Sequence, residues 1–469
     1  MTSYQQSRSF TVESIVIFGR KISSGEQKSF DITKLCTNIL YVEDITKPFL
    51  QCNLFIVDSA GLINLLPISG GEKVVIKLQD GTGEQEQNDV IEYDMRVWTV
   101  AGRVSRGNKQ TYTLGLCSAE ALTNETVKIQ TKLIGKAEGI IANLIGNDGL
   151  KSTKTLFSDE SKFSMIFNGG KRKPFDIGSI LARKSVPNSA TIQGTSDSSK
   201  DTKPSVKGSA GYYFWETRKG YSFYSIDGLL DPEDEDRPAY QYVERIANVD
   251  DTDDVFKILK CDFKSEVNIL KNLRSGKYAT TMVFFNPSTG KYSEYSYSLK
   301  ESYEGMKHLG TAGVAAVPVA EKELSEFPSR TISEILDHET WFTGGDIASP
   351  EEDDGGDSPT PYADWQKYFM AQSIARYQSM NNQECVITVP GQAQICAGEK
   401  VDIRLRNKVS NAEEAVEPDD KESSGLYLIK SVTHSYSLNT GIQGDFTTTL
   451  YLIRDAYGML DKDTAHDSE

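Results

Sequence analysis

No stretch of about 20 apolar residues occurs in this chain, so nothing in it reads as a membrane-crossing helix. Histidine is scarce. His308, His338, His434 and His466 stand far apart, and none falls in an H-E-x-x-H spacing. Cys36, Cys52, Cys117, Cys261, Cys385 and Cys396 are scattered without a C-x-x-C pair. A zinc site or disulfide framework needs closer ligand pairs, so ordinary buried thiols are expected. There is no G-x-S-x-G elbow, no G-x-x-x-x-G-K-[ST] phosphate loop, and no G-x-G-x-x-G opening a helix after a strand. Gly169-Gly170-Lys171 lacks the upstream glycine and the following Ser/Thr of a phosphate loop, and reads as a basic turn. Carboxylates are so plentiful that no glycosidase-like pair stands out. No catalytic, cofactor-binding or metal-ligating residue is therefore assigned, and an enzyme is not expected.

A basic excess is also missing. With 51 Lys and Arg against 67 Asp and Glu, the formal net charge is -16, which argues against nucleic-acid binding as the main task. The acids gather in runs at 231–236, 250–254, 351–357 and 413–420. Such runs are solvated loops, or in part the lining of a conduit along which DNA slides without sticking. The polar start, Met1 to Arg8, has neither the apolar middle nor the cleavage site of a secretory leader, so a cytoplasmic site of synthesis is expected.

What is present is a long series of strand signals. A chain of 469 residues predicts two to four domains. Residues 1–120 carry short apolar runs with turn signals between them: 39–42, 54–57, 74–78, the alternating Ile91, Tyr93, Met95 and Val97, and 110–114. The period then changes. Leu133, Ile134, Ala137, Ile140, Ile141, Leu144 and Ile145 predict one helix face, and 175–184 a second helix after Pro174. Residues 189–211 are polar and read as a mobile loop. A hairpin is predicted over 212–226, a short helix near 267–273, and strands at 280–285 and 292–299. Residues 301–361 read as an acidic linker, and Thr360-Pro361 as the cap and first turn of a helix running to about Met380. About four strands follow, too few to close a barrel alone, so the 212–226 hairpin is expected to join them. The 22 tyrosines, alternating with serine in strands, suit core and subunit-interface positions, with sugar stacking as the rival use. The expected organisation is 1–120 as a first barrel, 121–211 mixed and helical, 212–300 hairpin plus insertion, 301–361 linker, and 362–469 helix and second barrel.

Three sets of residues resemble one family. Tyr41-Val42-Glu43-Asp44-Ile45-Thr46-Lys47-Pro48-Phe49-Leu50, followed by Val57-Asp58-Ser59 and Leu65-Leu66-Pro67-Ile68, is similar to the first barrel of contractile-phage baseplate hub proteins. Pro174 to Ile180 with Gly211 to Leu230 resembles that family's helix and hairpin, and 424–434 with 448–457 resembles its C-terminal barrel. The resemblance implies an α+β, mainly β fold of two antiparallel tail-tube-type barrels with helical insertions. It assigns structural motif positions to Asp58, Ser59, Pro67, Gly391, Gly398, Gly425, Tyr427 and His434. It further implies a homotrimer whose pseudo-sixfold ring joins a tail tube protein to a central spike protein around an open axial channel. Tape-measure protein and other baseplate subunits are further expected partners, in a virion assembled in the host cytoplasm. Two rivals remain open: the spike base of a related injection or secretion machine, and a carbohydrate-binding tail-tip module.

Overall fold

Strand-forming residues decide the architecture from the first described turn onward. The computed structural model describes residues 8–21, 27–80, 90–193, 205–234, 237, 239–244, 256–265, 268–286, 290–310, 318–319, 322–335, 362–408, 419–438 and 443–458. The N-terminal part supplies β1 (Arg8–Lys21), β2 (Gln27–Asp31), β3 (Cys36–Asp44), β4 (Gln51–Asp58), β5 (Lys73–Asp80), β6 (Val90–Arg106) and β7 (Lys109–Cys117). Most of them alternate buried apolar residues with more exposed ones over at least part of their length, as β3 does with Ile39 and Tyr41 inward.

The middle of the chain adds β8 (Lys132–Lys136), β9 (Leu156–Ser158), β10 (Ser164–Asn168), β11 (Thr191–Gln193), β12 (Ser205–Lys207), β13 (Tyr212–Thr217), β14 (Gly220–Ser225), β15 (Tyr240–Val243) and β16 (Lys260–Ser265). Then come β17 (Ala279–Asn286), β18 (Lys291–Ser298), the short β19 (Pro318–Val319) and β20 (Lys322–Glu323), and β21 (Arg330–Ile335). After helix Tyr362–Ser379 the chain ends with β22 (Gln383–Pro390), β23 (Lys400–Arg404), β24 (Gly425–Leu438) and β25 (Gln443–Arg454).

Both ends of the chain meet in one 13-stranded sheet. Its pairings run β24–β3–β4–β7–β6–β5–β1–β25, and β25 pairs again with β24, so this path of hydrogen bonds closes on itself. Inside it lie Phe10, Ile15, Ile39, Leu54, Ile76, Met95, Leu114, Tyr436 and Phe446, all buried. A second strand system, β15–β23–β24–β25–β22–β16, surrounds another core that includes Ile387, Val389, Ile403, Leu428 and Leu450.

The two systems share β24 and β25, and each of these long strands changes partner midway. In β24, Leu428 faces β23 while Ser431 to Ser437 face β3. In β25, residues 443–446 face β1 and Thr447 to Arg454 face β22. The switch in β24 coincides with a bulge in which Lys430 is the extra residue between Ile429 and Ser431. Before it Tyr427, Leu428 and Ile429 are all buried; after it burial alternates, with Val432, His434, Tyr436 and Leu438 inward and Thr433, Ser435 and Ser437 half-buried.

The middle segments form a third core. Helices Ala137–Ile145, Pro174–Lys184 and Tyr362–Ser379 pack with the β13–β14 hairpin and β17 around Ile141, Ile177, Phe214, Tyr221, Met282 and Phe369.

Four sequence expectations change here. Leu133 and Ile134 belong to β8, paired with β10, and Ile134 is exposed; Gly135 has φ +139°, which no helix passes through. The 212–226 hairpin is present but does not join the C-terminal strands: β14 pairs in parallel with β9. The strands that do extend the second system from earlier in the chain are β15 and β16, on β23 and β22. The 301–361 segment holds β21, which pairs in parallel with β17 and so is not wholly linker. In the 189–211 loop the flanks pair as β11 and β12, while 194–204 lie outside the described residues, as do Thr360, Pro361, the acidic runs at 250–254 and 351–357, and most of 413–420.

Candidate assembly interface

The resemblance-derived positions sort by location. Asp58 ends β4 buried, its Oδ1 accepting from the N–H groups of Ala60 (3.0 Å) and Gly61 (2.7 Å) and its Oδ2 from the Tyr112 hydroxyl (3.4 Å). That carboxylate fixes the turn out of the strand. Ser59 and Pro67 in the same turn region are exposed.

Of the other five, Gly398, Gly425 and Tyr427 lie at the second strand system, while Gly391 and His434 lie against Phe446 and Tyr41 of the closed path's core. Gly398 (φ +89°) lies under the Trp215 ring, where an added Cβ would come within 2.3 Å of Cζ2, and the Trp215 indole donates to Ala397 O at 3.0 Å. A Cβ on Gly391 would sit 2.1 Å from the Phe446 ring. Gly425 (φ +115°) opens β24. Tyr427 donates to Ser423 O (2.8 Å), and its ring carries the buried Arg454 guanidinium at 4.4 Å. His434 Nδ1 pairs with the Thr448 hydroxyl at 3.0 Å, and burial pushes its pKa down to about 3, which makes it a neutral core residue. These positions hold the joint together and carry no reactive geometry.

Two polar clusters that sequence reasoning missed lock the units to one another. Glu43 on β3 is buried and accepts from Tyr41 OH (2.9 Å), Arg218 N (2.8 Å) and Ala397 N (2.9 Å). It thereby ties the closed path to the hairpin turn and to the loop before β23. Burial pushes its carboxyl up to about 7 against the pull of those three donors. The second cluster centres on Arg376 of the long helix, fully buried. Its Nη1 donates to Asp455 (2.7 Å), its Nη2 to Asp227 (3.1 Å) and its Nε to Ser209 Oγ (3.1 Å). His308 Nδ1 meets Asp455 at 2.7 Å, and Leu309 N donates to the same carboxylate. Burial works against the Asp455 charge, but Arg376 and His308 outweigh it and hold its pKa at about 2. The spacing of these partners, up to hundreds of residues, gave no local signal.

Part of the outward face of the closed path is uncharged, whereas β5 and the start of β6 carry the exposed pairs Lys73–Asp94 and Lys77–Glu92. Two registered rows cross β24, β3, β4, β7 and β6: Ser437–Asn38–Phe55–Thr113–Ala101 and Ser435–Leu40–Asn53–Gly115–Thr99. Neither row holds a formal charge. Phe55 is exposed, and Trp98, 53% exposed, lies over Gly115 with its Nε1 3.0 Å from where a Cβ would be. A neutral, partly apolar sheet face suits contact with protein. All six cysteines are free thiols and five are buried. Among the described residues no cluster of His, Cys, Asp and Glu could hold a metal ion, and no helix is long and apolar enough to cross a membrane.

Fold and clusters define a mainly β protein in which one large sheet, built from both ends of the chain, carries a mixed helical unit. No family model and no curated protein matches the sequence. Among solved structures the chain is similar to a tail protein from Neisseria meningitidis MC58, at 9% identity over 95% of this chain and 96% of that one, with a TM-score of 0.49. It is similar also to the prophage MuSo2 43 kDa tail protein from Shewanella oneidensis, at 9% identity, 96% and 99% coverage, and a TM-score of 0.48. A third similarity, to a chain of the Francisella PdpA–VgrG complex, has 10% identity, 97% and 54% coverage and a TM-score of 0.42.

Proposed function

We propose that this chain is a structural subunit of a contractile phage tail, acting as the baseplate hub. The observation that carries this reading is that one chain holds two strand systems joined through the shared strands β24 and β25. Read as two barrels, they give six barrels in a ring of three subunits, able to meet a sixfold tail tube on one side and a threefold spike on the other. The motif residues support it by their positions: Asp58, Gly391 and Gly398 occupy places that few other residues could fill. The two uncharged rows across β24, β3, β4, β7 and β6 support a protein partner, and the task is then geometric: to match symmetries, start tube growth, hold the spike and leave an axial channel. The acidic excess in part faces that channel.

Mass photometry and electron microscopy of the purified chain test this. A threefold ring with a central hole is expected. A monomer that binds glycans on an array would refute the hub and favour the tail-tip module.

A further inference from the structure

Strand β6 outruns its neighbour β5 and becomes an open edge of the sheet, backed by β7 and, behind that, β4. β5 pairs with β6 only from Val90 to Arg96, and the last bonds on that side join Val97 to Gly71 and Glu72. From Trp98 to Arg106, β6 has β7 on one side and, among the described residues, no strand on the other. Every residue from Val100 to Lys109 is exposed. At about 3.3 Å per residue the open edge is roughly 30 Å long. An edge of that length bearing Trp98, Val100 and Val104, all exposed, is a surface that natural sheets normally cover.

Its charge tells what covers it. Between Val97 and Cys117 the sequence has Arg103, Arg106 and Lys109 and no acid, whereas the rest of the chain carries -19, the -16 of the whole less these three cations. We propose that the β6 edge and its cationic tip dock on the acidic surface of a second copy of this chain. Two such cationic tips repel each other, which disfavours a twofold edge-to-edge contact. The contact is therefore heterologous, edge to a different patch, and repeated contacts of that kind form a ring where the rotation between copies closes. This inference rests on the ring reading above and names the element that closes it.

The test uses the full chain with Arg103→Glu/Arg106→Glu and, separately, Val104→Asp, all at exposed positions. Circular dichroism and thermal melting check that each variant folds. Mass photometry at roughly 0.1 M and roughly 0.5 M salt reads assembly. Wild type is expected to form a ring that weakens with salt, and each variant to need at least about tenfold more protein to assemble. Rings of unchanged stability in both variants overturn the edge contact and leave the hub reading standing. A wild type that stays monomeric overturns both. Retention of short duplex DNA by the wild type but not by the charge-reversed variant would assign the β6 edge to nucleic acid and overturn the proposal.

Discussion

Arg376 shows what a single buried side chain can hold. Its guanidinium joins the long helix to Asp227 after the hairpin and to Asp455 after the last strand. Arg376→Met leaves two carboxylates buried without their cation, so a loss of about 3–5 kcal/mol is expected in denaturant unfolding. The carboxylates also set opposite pH responses. Asp455 titrates in the folded state near 2, below its unfolded value, so its contribution is complete above about pH 4 and disappears as pH falls towards 2. Glu43 titrates near 7, above its unfolded value, so its neutral form favours folding and that contribution fades as pH rises from about 4 through 7. Glu43→Gln turns an amide N–H₂ towards backbone N–H donors and should lower the melting temperature at pH 5. Its deficit against wild type should narrow by pH 8, and an unchanged deficit would contradict the shift. None of these partners was legible beforehand, because abundant acids far apart in sequence give no spacing to read. Asp58 was singled out beforehand only through the family resemblance, and its part in the turn came from the structure.

At the scale of elements, alternation along the strands was readable and pairing was not. Strands β3 to β7 fall where the apolar period predicts them. The hairpin also formed, but its side chains reach the C-terminal strands through Trp215 over Gly398 while its backbone edge goes to β9. Gly398→Ala should therefore cost about 2–4 kcal/mol, from both its left-handed φ and the ring above it. The bulge at Lys430 was not read from the sequence: three successive residues, Tyr427 to Ile429, are buried before it, and a regular alternation holds from Val432 onward. Deleting Lys430 would shift the rest of β24 by one residue and turn Val432, His434, Tyr436 and Leu438 to the opposite face. Loss of soluble folded protein is the expected result, whereas Lys430→Ala, which keeps the extra residue, should fold.

For the whole molecule, the net charge of -16 and the scarcity of histidine are sums over the composition, and the strand period depends only on residues within a few positions of one another. They determined a mainly β chain with helical insertions and left no motif on which to build catalysis. Only the tertiary structure decided that both chain ends share one sheet, that β24 and β25 serve two strand systems, and that β15 and β16 rather than the hairpin extend the second. Those choices turn on long-range register and on buried charges such as Glu43 and Arg376 finding partners. The energy of such contacts depends on which distant residues meet, and no local pattern encodes that.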